Sequence, residues 1–297
     1  MKETSKKMLA VLIVLAMIIS IISPMTLTVS ASVWNGTPDT SWYTGSSPYT
    51  IMTAEQLAGL ASLSTTNNFE GETIILGADI VLNDTSNFAN WESSPPANQW
   101  TPIGTSDSRF KGTFDGNGHT ISGLYISKSS EYYKGLFMYT AGNIRNLTLT
   151  NCYIYANGYA GCISYYCGSV ARITNCSVSD IIKVTGSYAG GIVGQTENGT
   201  IISKCINNAS VTAGKTSGGI VGVNNGTVAD CYNTGNIAGN DSPYSDAAGI
   251  AGNNNIFGLI NNCYNLGNLS AIDTAGGIVS YNEGSISNLF GCCNRWN

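Results

Sequence analysis

The chain has 297 residues, with 13 basic against 18 acidic side chains, a net charge of −5 and only 10% charged residues. Such a dilute, acidic surface excludes a nucleic-acid binder that works through a basic face, because phosphates are neutralised by clustered Lys and Arg. With 35 glycines and abundant Asn, Ser and Thr, the composition also excludes an ordinary helical domain. It suits short strands joined by many turns, where Gly and Asn tolerate a left-handed backbone.

In chain order, Lys2, Lys6 and Lys7 precede an apolar run from Met8 to Ile22, broken by Ser23 and Pro24, and Val29-Ser30-Ala31 supplies small residues for cleavage. This is the pattern of an export signal. The uninterrupted apolar run falls short of the roughly 20 residues that a membrane-crossing helix needs, and no later segment replaces it. Residues 1–31 are therefore predicted to be removed on secretion or display at the cell surface. Three of the 13 basic and one of the 18 acidic residues lie there, so the remainder is more acidic than the whole. Residues 32–297 are read as one domain, with a cap and entry strands over 32–109 and repeat coils over 110–297.

One helix is predicted, ahead of the repeats. Thr53 and Gln56 fit a capping box, Met52 and Leu57 a hydrophobic staple, and Leu57, Leu60, Ala61 and Leu63 fall on one face. An open stack of strands exposes an apolar end and unpaired edges, so the helix is expected to cap it. Thr73 to Leu82 is expected to be the first strand.

From Gly135 onward the chain repeats. The segments AGGIVG (189–194), SGGIVG (217–222), AAGIAG (247–252) and AGGIVS (275–280) are copies of one unit, with weaker copies in GLFMY (135–139) and AGCIS (160–164). Aligning Leu136, Ile163, Ile192, Ile220, Ile250 and Ile278 gives spacings of 27, 29, 28, 30 and 28 residues. Each unit continues through a turn such as Asn198-Gly199, Asn225-Gly226 or Glu283-Gly284, and then through two short β-rich runs. A lone unit cannot bury its apolar face, so the units must stack with parallel strands about 4.8 Å apart. The leucine-rich ladder and the propeller's Trp-Asp signature are absent. The predicted fold is all-β, a right-handed parallel β-helix with a short N-terminal capping helix.

Of nine cysteines, Cys152, Cys176, Cys205, Cys231 and Cys263 take similar places in successive units, at spacings of 24, 29, 26 and 32 residues. A line of thiols with no His nearby does not converge as a tetrahedral metal site does, and a disulfide between neighbouring coils is geometrically conceivable, but a buried ladder of one thiol per coil is expected ahead of both. Cys162 and Cys167 fall outside this column, and Cys292-Cys293 belong to the tail.

The search for chemistry assigns no catalytic residue, no metal ligand and no cofactor. His119, the sole histidine, follows the turn signals Asp115-Gly116 and Asn117-Gly118 and is read as turn-flanking. Zinc-peptidase, phosphate-loop and serine-hydrolase motifs are absent. A polysaccharide-degrading β-helix needs carboxylates gathered on one face. Asp180, Glu197, Asp230, Asp246, Asp273 and Glu283 mostly fall in different columns, and Asp246 and Asp273 come nearest to alignment. Tyr132, Tyr133, Tyr153, Tyr155, Tyr159, Tyr165, Tyr166 and Tyr188 crowd the early coils, where exposed aromatic faces can stack on sugars or protein partners.

The units GGIVGVNNGTVADCYNTGNI (218–237) and GGIVGQTENGTIISKCINNASV (190–211) resemble the GLUG motif repeats of bacterial surface and secreted proteins. TAEQLAGLASL, GETIILGADIVLND, WTPIG and FKGTFDGNGHTISGLYI look like the leader that precedes such repeats, so the resemblance runs from about Tyr49 to Asn288. It implies a right-handed β-helix of the pectin-lyase-like type and export from a bacterium. It implies no activity, since such repeats occur in adhesin-like proteins and in non-catalytic regions of IgA-cleaving metallopeptidases. The last unit departs from the pattern: after GGIVSYNEGSIS (276–287) the expected Asn-Cys-Tyr-Asn becomes Asn288-Leu289-Phe290-Gly291, and the coil reads as interrupted, as in a truncated reading frame. The expected role is an exported, non-enzymatic surface module for adhesion, ligand binding or spacing, its partner a host or cell-surface glycan or protein. The rivals are a carbohydrate-active β-helix enzyme and a non-catalytic region of a larger surface metallopeptidase.

Overall fold

A computed structural model describes residues 31–127, 132–184, 187–239 and 244–288. Residues 1–30 of the predicted signal, and the tail with Cys292 and Cys293, lie outside the described residues. The unit that begins at Ala31 is a parallel β-solenoid. One sheet stacks nine strands in chain order, from Tyr49–Ile51 and Thr73–Leu76 to Leu259–Asn261 and Ser285–Ser287, which makes about eight turns. An eleven-stranded sheet and two six-stranded sheets complete the wall. One six-stranded sheet runs from Tyr133–Lys134 to Ala275–Gly276, the other from Phe137–Thr140 to Val279–Asn282. Neighbouring strands run parallel in each.

The entry differs from the prediction in one respect. The first strand is Tyr49–Ile51, ahead of the helix, and Thr73–Leu76 pairs onto it, with Ile80–Val81 turning off into the eleven-stranded sheet. Tyr-Thr-Ile is too short for alternation to announce it; its two inward residues are buried where Ile74 and Leu76 stack below them and the Trp42 and Tyr43 rings pack on Tyr49. The helix spans Ala54–Leu63, with the Thr53 side chain accepting from the Gln56 N–H. The Gln56 side chain accepts in turn from the Met52 N–H at 2.8 Å. Leu57, Leu60 and Ala61 are buried in the main core, whereas Met52 is 50% exposed.

Inside, like residues stack in columns. Ile74, Phe114, Ile144, Ile173, Ile202, Val228 and Ile260 are in register and fully buried. Ile163, Ile192, Ile220 and Ile250 form a second column in which each backbone N–H donates to the carbonyl of the equivalent residue one coil on. Each such side chain contributes roughly 1.5–3 kcal/mol by burial, so cohesion is spread evenly along the stack. Leu136 heads the same column, since Phe137 pairs with Ser164 as Ser164 pairs with Val193, although the Leu136 N–H donates to the Cys162 carbonyl.

At the corner between the nine- and eleven-stranded sheets the backbone turns left-handed in each coil: Asn146, Asn175, Lys204, Asp230, Asn262 and Asn288 have φ of 52, 54, 55, 54, 52 and 50°. Asn and Asp accept this conformation more readily than other side chains, which explains the Asn or Asp that precedes Cys176, Cys231 and Cys263. The residues after them form a column that reads Leu147, Cys176, Cys205, Cys231 and Cys263, linked coil to coil by backbone bonds. Cys152 is therefore not a member. It lies past a register shift in the strand Thr148–Ala156, opposite Asp180, and its short spacing of 24 residues was the sign.

A second polar device runs beside the thiols. Asn207, Asn233 and Asn265 are in register and buried. Each Nδ2 donates to the next Oδ1 at 2.6 and 2.7 Å and to the carbonyl two residues on, while each Oδ1 accepts the N–H of that residue. Every buried amide is thus satisfied, as burial of a polar group demands. Facing them, a Cβ on Gly191, Gly219 or Gly249 would come within 2.3, 2.6 or 2.4 Å of the ladder asparagine. In the preceding coil the ladder position is Val178 and the glycine position is Cys162. The repeat's second glycine is required where a Cβ would meet both the ladder asparagine and the carbonyl of the next coil's glycine, and the coil without the ladder carries Cys162 there instead.

Candidate functional site

The tyrosines singled out in the sequence separate into two sets. Tyr153 stacks on Tyr125 beside Trp91, all buried, with Tyr155 partly buried against them. Burial pushes the Tyr153 phenol up to about 12, and this cluster is packing. Tyr132, Tyr133, Tyr159, Tyr165, Tyr166 and Tyr188 instead converge on the outer side of the two six-stranded sheets. Tyr133, Tyr159 and Tyr188 are in register on one sheet, Tyr139 and Tyr166 on the other. Tyr139 was not singled out; its place two residues after Phe137, matching Tyr166 two after Ser164, was the available signal.

The rings largely cover one another. Tyr133 stacks on Tyr165 at 4.4 Å, Tyr159 on Tyr188 at 5.3 Å, and Tyr139 meets Tyr165 edge-on at 5.4 Å. Of the in-register pairs one coil apart, Tyr159 and Tyr188 lie face to face, whereas Tyr133–Tyr159 and Tyr139–Tyr166 are tilted by 39° and 52°. The patch therefore does not offer a row of free ring faces. It presents ring edges and hydroxyls around the 5% exposed Tyr165, with Tyr132 and Tyr133 exposed at 58% and 36% on one side. Burial raises the Tyr165 phenol far above its ordinary range.

A cation and an anion close the patch. Phe110 is fully buried and bridges to Thr140, which places Arg109 beside the coils. Its guanidinium lies 5.3 Å from the Tyr166 ring centre and 5.9 Å from that of Tyr139, within range of a cation–π contact. Arg109 Nη1 donates to Glu197 Oε1 at 3.1 Å, the Tyr166 hydroxyl donates to the same oxygen at 2.6 Å, and the Ser169 N–H donates to Oε2 at 3.0 Å. Burial pushes the Glu197 pKa up, but these donors outweigh it and the net shift is downward. Burial, then the adjoining carboxylate, lifts Tyr166 to about 12. Glu197 is thus an ionised anchor, not a proton donor. Arg109 gave no signal in the sequence because only the fold brings the entry loop against Glu197.

The other candidate carboxylates do not gather. Asp230 sits at the left-handed corner and accepts from the Asn262 amide, and Glu283 accepts from the Tyr281 hydroxyl at 2.7 Å. The Asp180 side chain is outside the description. Asp246 continues the Tyr188 column through Thr216; burial and then the charge of Asp273 raise its pKa. Asp273 is therefore near enough for its charge to act on Asp246. No three His, Cys, Asp or Glu residues gather into a possible cation site among the described residues. His119 hydrogen-bonds Asp79 at 3.2 Å, and its N–H closes the turn onto Gly116. A separate recess of about 350 Å³ lies at the capping helix, lined by Trp34, Pro38, Ala58, Ala61 and Trp100. Both indole N–H groups there already donate to backbone carbonyls.

No family model matches the chain. Among curated proteins it is 30% identical over 177 residues to halomucin of Haloquadratum walsbyi, a match that covers 57% of this chain and 2% of that protein. It is 43% identical over 61 residues to a candidate Gly-rich membrane protein of Evansella cellulosilytica, covering 20% of this chain and 7% of that one. The chain thus spans a small fraction of either relative. Its fold is similar to the crystal structure of a candidate immunoglobulin A1 protease from Bacteroides ovatus, with a TM-score of 0.57 at 22% identity over 79% of this chain and 84% of that one. No helix among the described residues is long and apolar enough to cross a membrane.

Proposed function

We propose that this chain is an exported, non-enzymatic surface module of the GLUG-repeat kind, which binds a glycan or protein partner through the tyrosine patch. The observation that carries the reading is the preassembled cluster of tyrosines around Arg109 and Glu197, half exposed and held rigid by stacking. Tyrosine-rich surfaces bind well because each ring brings a large amphipathic area at little entropic cost, and here stacking has already removed most of the rings' freedom. The Arg109–Glu197 pair supplies polar partners that are fixed in place.

The dispersal of the carboxylates supports a binding role over glycan cleavage, which needs two acids about 5–10 Å apart around one bond. The Asp246–Asp273 pair is the observation that keeps a carbohydrate-active enzyme as the second reading. The likeness to a candidate immunoglobulin A1 protease fits a third, a non-catalytic region of a larger surface metallopeptidase. A glycan array and a polysaccharide-depolymerisation assay, run with and without calcium, separate them. Binding that Tyr159→Ala abolishes, without turnover, is the expected result. Depolymerisation lost in Asp246→Asn would replace the binding module with an enzyme, and silence in both assays would leave a spacer.

A further inference from the structure

Four buried thiols in four consecutive coils form a continuous line that the binding role does not use. Cys205 touches both Cys176 and Cys231, Cys231 touches Cys263, and the Cys205 N–H donates to the Cys231 sulfur at 3.4 Å. All four are free thiols and at most 1% exposed. We propose that these thiols are sites of oxidation during folding, forming two disulfide staples between neighbouring coils, Cys176–Cys205 and Cys231–Cys263.

Parallel neighbours lie about 4.8 Å apart, inside the Cα separation of about 4.4–6.8 Å that a disulfide spans but just beyond its Cβ separation of about 3.5–4.5 Å, so each bridge draws its two coils slightly together while the last one added is still unsealed. The hydrogen-bond pattern permits the bridges. Each thiol donates to the carbonyl two residues before it, Thr174, Ser203, Ala229 and Asn261, at 3.4, 3.3, 3.1 and 3.2 Å. Each of those carbonyls also accepts a backbone N–H, from Asn146, Asn175, Lys204 and Asp230. Losing the S–H therefore orphans no buried acceptor. A neutral disulfide sulfur is tolerated against these oxygens, whereas a metal thiolate would set negative charge beside them.

The pairing follows from chain order. A line of four is fully consumed only as first with second and third with fourth, and coils added from the N-terminal side bring Cys205 to Cys176 before Cys231 arrives. Because the finished column is sealed, oxidation belongs to the stage when the last coil added still exposes its thiol. The oxidant is a small-molecule disulfide such as oxidised glutathione. One protein thiolate attacks it and forms a mixed disulfide, and the neighbouring thiolate displaces the second glutathione thiol. Two protons and two electrons leave the protein for each staple, and the oxidant is released as two thiols.

The test is disulfide mapping on the full chain, refolded from the reduced denatured state in oxidised and reduced glutathione and, separately, recovered after export to an oxidising periplasm. Cleavage before Asp230 and Asp246 separates Cys231 from Cys263. The expected result is both bridges, a mass lower by about 4 Da than the reduced chain, and alkylatable Cys152, Cys162 and Cys167. Cys205→Ser should lose one bridge and keep Cys231–Cys263 with an unchanged far-ultraviolet β-spectrum. Glutathione disulfide added to the folded reduced protein should leave the column unreacted. The proposal is overturned by a β-folded protein from either source whose four column thiols are all alkylatable, by a Cys205–Cys231 bridge, or by bridges to residues outside the column.

Discussion

The coils between Tyr132 and Tyr188 and those beyond Gly190 wind the same backbone but are held together by different side chains. The early coils gather most of the stacked tyrosines outside, where the later ones keep the stack of Tyr232 on Tyr264, and they carry Val178 and Cys162 where the later ones carry asparagine and glycine. The later coils close through the Asn207–Asn233–Asn265 amide ladder and a second one, in which Asn224 donates to Asn254 at 2.8 Å and Asn254 to Asn282 at 2.7 Å. Consistency with the repeat therefore marks where structure is being maintained. Departure from it marks where a surface has been built, and the tyrosine patch lies where the repeat is weakest.

The largest expected effect is on the amide ladder. Asn233→Leu removes one of the two bonds made by the Asn207 Nδ2 and by the Asn265 Oδ1 and takes the side-chain donor from the Gly235 carbonyl, and should cost about 4 kcal/mol in urea unfolding. Next comes the glycine that makes room for it: in Gly249→Ala the new Cβ would meet the Gly277 carbonyl at 2.2 Å and Asn265 at 2.4 Å, for a loss of about 3 kcal/mol. Cys162→Gly, at the equivalent early position, removes only a small buried side chain and should cost about half as much. Equal costs at the two positions would erase the distinction between the two kinds of coil.

Two smaller effects sharpen the comparison from the early side. Tyr132→Ala removes a ring that is 58% exposed, so stability should hold within about 0.5 kcal/mol while ligand affinity drops about tenfold, or 1.4 kcal/mol. An unchanged affinity would move the binding face elsewhere. The smallest concerns pH. The folded pKa of Glu197 is depressed, so its contribution is present above the ordinary carboxylate range and fades as pH falls through the lower folded value. Glu197→Gln should flatten the fall in urea midpoint across that acid window relative to the parent chain. A fall of the same steepness would mean that the Arg109–Glu197 pair contributes nothing measurable.

Much of the fold was legible because a solenoid writes its geometry into the sequence: one coil is one repeat, so Ile192, Ile220 and Ile250 announce their own contact by spacing. The helix was legible from the Thr53 and Gln56 cap. The site was legible only in part. Tyrosine crowding pointed to the right coils, yet could not separate the packed Tyr153 from the surface Tyr159, since both alternate along strands and only the neighbours above and below decide which is covered. Cys152 misled for a related reason: a register shift inside one strand moves a residue out of its column without disturbing the local motif.

The sequence by itself determined the parallel stacked-coil architecture, the position of the capping helix and the columns of isoleucine and cysteine, because these follow from period and from the need to bury one face per unit. Tertiary structure alone decided that Tyr49–Ile51 begins the stack, that Leu147 heads the thiol column, and that Arg109 meets Glu197 across 88 positions of chain. Such pairings depend on which coil lies against which loop, and a contact between non-repeating segments leaves no periodic trace.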